Sequence, residues 1–274
     1  MTASIFFTNA AIISAALSIN MILAWLVWYV SRNSGWIDTV WTFGLGAIGA
    51  CSALLLFRDE PSFRSWLVVA MALVWSARLG FHIARRTTKI TDDPRYAKLI
   101  NDWGHDAPRQ MFCLLQKQAL VSIPLGVAMW LAAQNPSPDL SLGDIVGILI
   151  FVTGVVGEAI ADEQLRRFRG NPENKGRICN AGLWSLSRHP NYFFEWLGWF
   201  VYPALAINFG GNIHSWGFVA FAAPACMYWL LVYISGIPPL EEHMLERRGD
   251  EFRKYQSRTN AFFPGPPKAI AGEL

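Results

Sequence analysis

The chain has 274 residues, 53% of them hydrophobic and only 16% charged, with a mean hydropathy of +0.27 and a formal net charge of +3. A soluble domain carries about 25% charged residues, which argues against a soluble fold, and a disordered chain, a coiled coil, a collagen-like repeat and a small disulfide scaffold are excluded. The charge is too small to imply a nucleic-acid partner, and the 13 Trp, 18 Phe and 7 Tyr suit a chain that meets membrane–water boundaries.

The opening MTASIFFTNA lacks the basic region of a cleaved secretory signal, so the first apolar run reads as a retained transmembrane helix. Seven runs follow in chain order, at about 8–30, 37–57, 65–83, 112–133, 142–160, 191–209 and 215–236. Each is near the roughly 20 residues that span a bilayer. The third contains Arg78, and the sixth opens with polar residues.

Eighteen of the 23 basic residues fall in 84–111, 161–190 and 237–274, after runs three, five and seven. The segments after runs four and six, QNPSPDLS and GGNIH, hold none. The positive-inside rule turns this alternation into an orientation, N-terminus outside and C-terminus cytoplasmic. The expected fold is an all-α polytopic membrane bundle of about seven helices. It forms a single integral domain over 1–264, with substrate-side helices in 1–140, a cofactor-binding half in 141–264 and a Pro-rich tail at 265–274.

Gly44, Gly46 and Gly49 spell the dinucleotide fingerprint GxGxxG. That fingerprint needs a strand before it and a βαβ unit around it, and here it lies inside an apolar run. A small-residue face for close helix approach is the better reading. Cys51, Cys113, Cys179 and Cys226 form no CxxC pair and read as packing thiols, with no metal site.

Polar residues crowd the basic side. In RHPNYFFEW, Pro190 can start a helix, which puts Asn191 and Glu195 on one face at i and i+4. At the end of run five, Glu158, Asp162, Arg166 and Arg169 follow helical spacing. Such a face offers carboxylates to ribose or amide groups and guanidinium forks to phosphates, or else is a solvated helix end. The third cluster, from Gly236 to Thr259, reads as a nucleotide-contacting segment or as an amphipathic helix on anionic lipid heads.

The segments GLWSLSRHPNYFFEWLGW, SGIPPLEEHMLERRGDEFRKYQSRTNAFFP, and WSARLGFHIARR with DPRY together resemble the DUF1295 membrane proteins over about Trp36 to Pro264. These are similar to the C-terminal domain of the steroid 5-alpha-reductases, in a superfamily that also holds isoprenylcysteine carboxyl methyltransferases. The resemblance implies NADPH binding by Asp162, Arg166, Arg169, Arg177, His189, Asn191, Glu195, His243, Tyr255 and Arg258. Where the reductases carry Asn one turn before the Asp, this chain has Glu158, and Arg258 is offset by one residue. No Gln-Glu pair of the reductase kind occurs in the N-terminal half. Asp38 and Arg78 lie in comparable places, as functional groups or as a mutual ion pair, and Tyr96 is an acid candidate or a boundary anchor.

The expected function is NADPH-dependent reduction of a C=C bond in a lipophilic substrate, with Asp38, Arg78 and Tyr96 as catalytic candidates. The expected setting is an integral multi-pass protein of the cell inner membrane, or of the ER membrane in a eukaryote. The alternatives are S-adenosylmethionine-dependent methylation of a lipid or prenylcysteine, and a non-enzymatic transporter or assembly factor.

Overall fold

A computed structural model describes residues 1–56, 60–89, 92–135, 140–207 and 214–268. Among these residues the chain is helical, without strands. Parts of the expected loops (136–139 and 208–213), the end of run two and the last six residues of the Pro-rich tail lie outside the described residues.

The principal helices are α1 (Ala3–Ser31), α2 (Gly35–Leu55), α3 (Phe63–Thr87), α4 (Pro94–Trp103), α5 (Ala107–Ala133) and α6 (Leu142–Gly170). They continue as α7 (Leu183–Leu186), α8 (Pro190–Gly198), α9 (Val201–Ile207), α10 (Ala222–Trp229) and α11 (Ile237–Arg258). Six helical stretches among the described residues are long and apolar enough to cross a membrane: α1, α2, α3, Arg95–Ala133, α6 and Ser215–Arg258. The protein is therefore a polytopic helical membrane bundle.

The expected sixth run does not form one long helix. It divides at Trp199 and Phe200 into α8 and α9, both too short to span. Pro203 accounts for the break. A proline ring clashes with the carbonyl four residues earlier, here that of Trp199, and offers no amide for it.

The chain forms two compact units. The first comprises Met1–Gly147 and Tyr202–Ala223, the second Ile148–Val201 and the residues from Pro224 onward. In the first, α1, α2, α3 and α5 pack together. Gly44, Gly46 and Gly49 of α2 face Asn20, Ser76 and Met129 so closely that a Cβ on any of them collides. The GxGxxG of the sequence is thus a helix-packing face.

In the second unit, α6 and α8 run antiparallel in a register set by two contacts. Asn191 Nδ2 donates to Asp162 Oδ1 at 3.3 Å. Two turns along, Gly154 meets the backbone of Gly198, where a Cβ would lie 2.8 Å from the Gly198 Cα. Between these two levels lie Glu158 and Glu195, 5% and 7% exposed. An aromatic cluster of Phe193, Trp196, Tyr228, Phe262 and Phe263 closes the unit, with Trp196–Phe262 and Tyr228–Phe262 centroids 5.5 and 5.4 Å apart.

Candidate functional site

Each unit holds polar residues from the sequence-based expectation. In the second unit, helical spacing on α6 puts Glu158 and Asp162 on one face, and the same spacing on α8 aligns Asn191 and Glu195. Because the two helices are antiparallel, these pairs form a polar ladder. Asp162 and Asn191 are half-buried at its open end. Glu195 is buried and accepts a hydrogen bond from Trp199 Nε1 at 2.9 Å.

The arginines divide by surroundings. Arg166 and Arg167 both grip Glu163 at 2.6 Å on the exposed surface of α6. Glu163, which sequence reasoning passed over, holds Arg166 in this ion pair. Arg169 and Arg177 are exposed, the former in the last turn of α6 and the latter in the following loop. Arg258 is exposed in the last turn of α11, where its carbonyl accepts the Lys268 amide at 2.8 Å. His243 is half-buried on the same helix.

His189 and Tyr255 belong to a knot that joins the RHPNY segment to α11. Glu241 takes Arg188 Nε at 2.7 Å and Nη2 at 3.1 Å, His189 Nε2 at 2.9 Å and Gln256 Nε2 at 2.8 Å. Arg188 Nη1 also donates to the Thr259 carbonyl at 2.5 Å. The buried Tyr255 hydroxyl donates to the Trp184 carbonyl at 2.5 Å. Ser187 Oγ donates to the Phe262 carbonyl at 2.8 Å, and the Gly265 amide reaches the Leu186 carbonyl at 3.0 Å. The start of the Pro-rich tail is thereby tied back. Burial pushes the His189 imidazole below the usual histidine value of 6.5, a shift that the Glu241 carboxylate only partly offsets.

In the first unit, Asp38 meets Arg95 and Tyr96. Arg95 Nη2 lies 2.5 Å from Asp38 Oδ2, and the Tyr96 hydroxyl donates to Asp38 Oδ1 at 3.2 Å. Arg95 also holds Asp93, the N-cap of α4, through Nε and Nη2 at 3.0 Å each. Arg86 joins Asp93 at 2.9 Å. Burial opposes the charge of Asp93, but the bonds and charges of Arg95 and Arg86 outweigh it and hold the carboxyl below the usual 3.8. Asp92 caps the start of α2 by accepting from the amide and hydroxyl of Ser34. Asp38 and Tyr96 thus come together, while the ion pair of Asp38 is with Arg95. Arg78 is half-buried on α3.

Arg95 was missed because an Arg in DPRY, within a segment rich in basic residues, looks like an ordinary positive-inside charge. Its signal was Asp93 two residues earlier, in position to cap the helix that Pro94 starts.

Fold and polar groups together define a polytopic membrane protein with one buried polar ladder between helices and one ionic cluster at a helix start. The chain belongs to the family described as "Protein of unknown function (DUF1295)", whose model matches residues 24–259. It is 37% identical over 89 residues to the Ustilaginoidea virens protein named "Probable O-methyltransferase ustE", covering 29% of this chain and 30% of that protein. It is 31% identical over 90 residues to the steroid 5-alpha-reductase DET2 of Gossypium hirsutum, covering 32% of this chain and 35% of that one. An uncharacterized protein of Schizosaccharomyces pombe is 25% identical over 94% of this chain and 81% of its own length. The chain thus spans about a third of the two relatives whose names state an activity. No solved structure matches it.

Proposed function

We propose that the protein is an NADPH-dependent reductase of a C=C bond in a lipid, working where the cytoplasm meets the bilayer. The carrying observation is the ladder of Asp162, Asn191 and Glu195 between two helices that touch at Gly154 and Gly198. Its chemistry suits the cofactor. Asn191 supplies an amide donor and acceptor, Asp162 and Glu195 supply acceptors, and together they match the carboxamide and hydroxyls of a nicotinamide nucleotide. Arg169 and Arg177 are exposed cations suited to its phosphates.

NADPH, when bound, supplies the hydride. This chain's residues then bind and orient. Asp162, Asn191 and Glu195 fix the nicotinamide end, and the arginines anchor the phosphates. Arg166 reaches a phosphate only by leaving Glu163. His189 and Tyr255 contribute by bracing the RHPNY segment that starts α8, and His243 and Arg258 lie on the helix they brace. Asp38, Arg78 and Tyr96 are the substrate-side candidates. The N-terminus lies outside and the C-terminus in the cytoplasm, in the inner membrane of a cell or the ER.

The test is NADPH titration of the full chain in lipid nanodiscs. Saturable binding is expected, weakened about tenfold or more by Asp162→Ala or Asn191→Ala, as for loss of a hydrogen bond to a charged partner. Absence of saturable binding overturns the proposal. A second reading, S-adenosylmethionine-dependent methyl transfer, is favoured by the stretch shared with the relative named as an O-methyltransferase. Titrating that cofactor against the same preparation decides between the two.

A further inference from the structure

The Asp38–Tyr96 pair has a polarity that constrains what it can bind. Asp38 is half-buried, and its Oδ2 lies 2.5 Å from the Arg95 guanidinium. Arginine is always charged, and Asp38 Oδ2 is taken up in an ion pair with it. A carboxylate only accepts hydrogen bonds. The Tyr96 hydroxyl at 3.2 Å from Oδ1 must therefore be the donor. A phenol has one proton and two lone-pair sites. With its proton committed to Asp38, Tyr96 offers a ligand only acceptor sites.

Arg95 is held through Nε and Nη2. Besides Asp38 it grips Asp93 through Nε and Nη2, and Asp93 is buried and capped onto the helix that carries Tyr96. The arrangement is thus braced from both sides. Rotating the hydroxyl away from Asp38 would set an oxygen lone pair against a carboxylate, a repulsive contact.

We infer that this site receives its lipid through a hydroxyl that donates to Tyr96, and that it discriminates against the corresponding carbonyl compound. At the Tyr96 oxygen, a carbonyl oxygen brings only lone pairs and would face lone pairs. A lipid amine would arrive charged beside the Arg95 cation, whereas a hydroxyl is a neutral donor. The inference rests on the reading that Asp38 and Tyr96 face the substrate, and it makes the hydroxyl a binding handle, with the reducible bond elsewhere in the lipid. A handle of this kind also suits methyl transfer to oxygen, so it does not depend on which cofactor binds.

The test compares matched lipids on the full chain in nanodiscs: cholesterol against cholestenone, and farnesol against farnesal, with affinity read by native mass spectrometry. At least one alcohol should outbind its carbonyl partner by about tenfold, the scale of one hydrogen bond gained against one acceptor left unpaired. Tyr96→Phe should erase that preference, by weakening the alcohol and by relieving the lone-pair contact that disfavours the carbonyl compound. Asp38→Asn, whose amide can donate to Tyr96 and release its proton, should turn the preference toward the carbonyl compound. Equal or tighter carbonyl binding in both pairs in the unaltered protein overturns the inference, as does an alcohol preference that survives Tyr96→Phe. Failure of all four lipids to bind overturns the placement of a lipid site here. NADPH binding measured in the same samples keeps the cofactor question separate. An alcohol preference without NADPH binding counts against the reductase reading alone.

Discussion

Arg64 and Asp144 form a buried, two-pronged ion pair, with Nε–Oδ1 at 2.7 Å and Nη2–Oδ2 at 2.5 Å. Both are at most 3% exposed, and the amide and hydroxyl of Ser141 complete the carboxylate's partners at 2.6 and 2.9 Å. The pair pins the start of α3 to the start of α6. Removing one partner strands a buried charge, which costs about 3–5 kcal/mol. Asp144→Ala and Arg64→Ala should each lower the unfolding free energy in detergent by that order. Replacing both with apolar residues of similar volume should recover most of the loss. If the double variant is no better than the singles, the cost lies in packing and not in the charge.

Gly154 and Gly198 make opposite predictions from one contact. A Cβ on Gly154 would sit 2.8 Å from the Gly198 Cα and 2.9 Å from the Phe194 carbonyl oxygen, both backbone atoms that cannot move aside without moving α8. A Cβ on Gly198 meets nothing within 4 Å. Gly154→Val should therefore separate α6 from α8 and abolish the cofactor binding expected of the ladder. Gly198→Ala should leave binding intact, apart from a small gain in helix propensity. Binding titrations of the two variants check this. Equal losses in both would show that the ladder does not depend on this approach.

The spans α1, α2, α3 and α6 were legible because a long apolar run in a membrane leaves the backbone only the helix. The ladder was half legible. Helical spacing put Asn191 on a face with Glu195, and Glu158 on a face with Asp162, but a single sequence does not say which helix faces which. Gly154 and Gly198, which set that register, look like any other glycines in an apolar run. The break at Trp199 was written in Pro203, yet hydropathy alone reads through it. Arg166 looked like a phosphate ligand because the competing Glu163 is equally consistent with a solvated helix face. The Arg64–Asp144 pair was hidden for a different reason, because its partners lie 80 positions apart at the ends of separate helices.

Asp93 carries two separable duties. Its Oδ1 caps α4 by accepting the Arg95 amide at 3.0 Å, and its charge binds Arg95 and Arg86. Asn keeps the cap and removes the charge, so Asp93→Asn should cost about 2 kcal/mol, the scale of charge-assisted hydrogen bonds. Asp93→Ala should cost about 1 kcal/mol more, because the cap is lost as well. The folded carboxyl lies below the usual 3.8, so the charge-dependent stabilisation is complete above that value and fades as pH falls beneath it. Denaturant melts of both variants, at neutral pH and in acid, check the split. Identical costs for Asn and Ala would assign everything to the ion pairs.

His189 gives the protein a pH dependence nearer neutrality. It is almost fully buried, and burial drives its imidazole below 6.5, since the charged form loses more hydration than Glu241 returns. The neutral ring donates from Nε2 to Glu241. Because the folded value is lower than the unfolded one, the unfolded chain binds the proton more readily. Stability from this group is therefore whole above pH 6.5 and declines as pH falls through that value towards the lower folded one. Thermal melts in detergent at pH steps across this window should show the decline. His189→Gln, whose amide can still donate to Glu241, should flatten the curve and keep the neutral-pH midpoint nearly unchanged. A midpoint that rises as pH drops would mean that the imidazole is protonated in the folded knot and strengthens the Glu241 contact instead, and a slope unaltered in His189→Gln would place the pH dependence in another group.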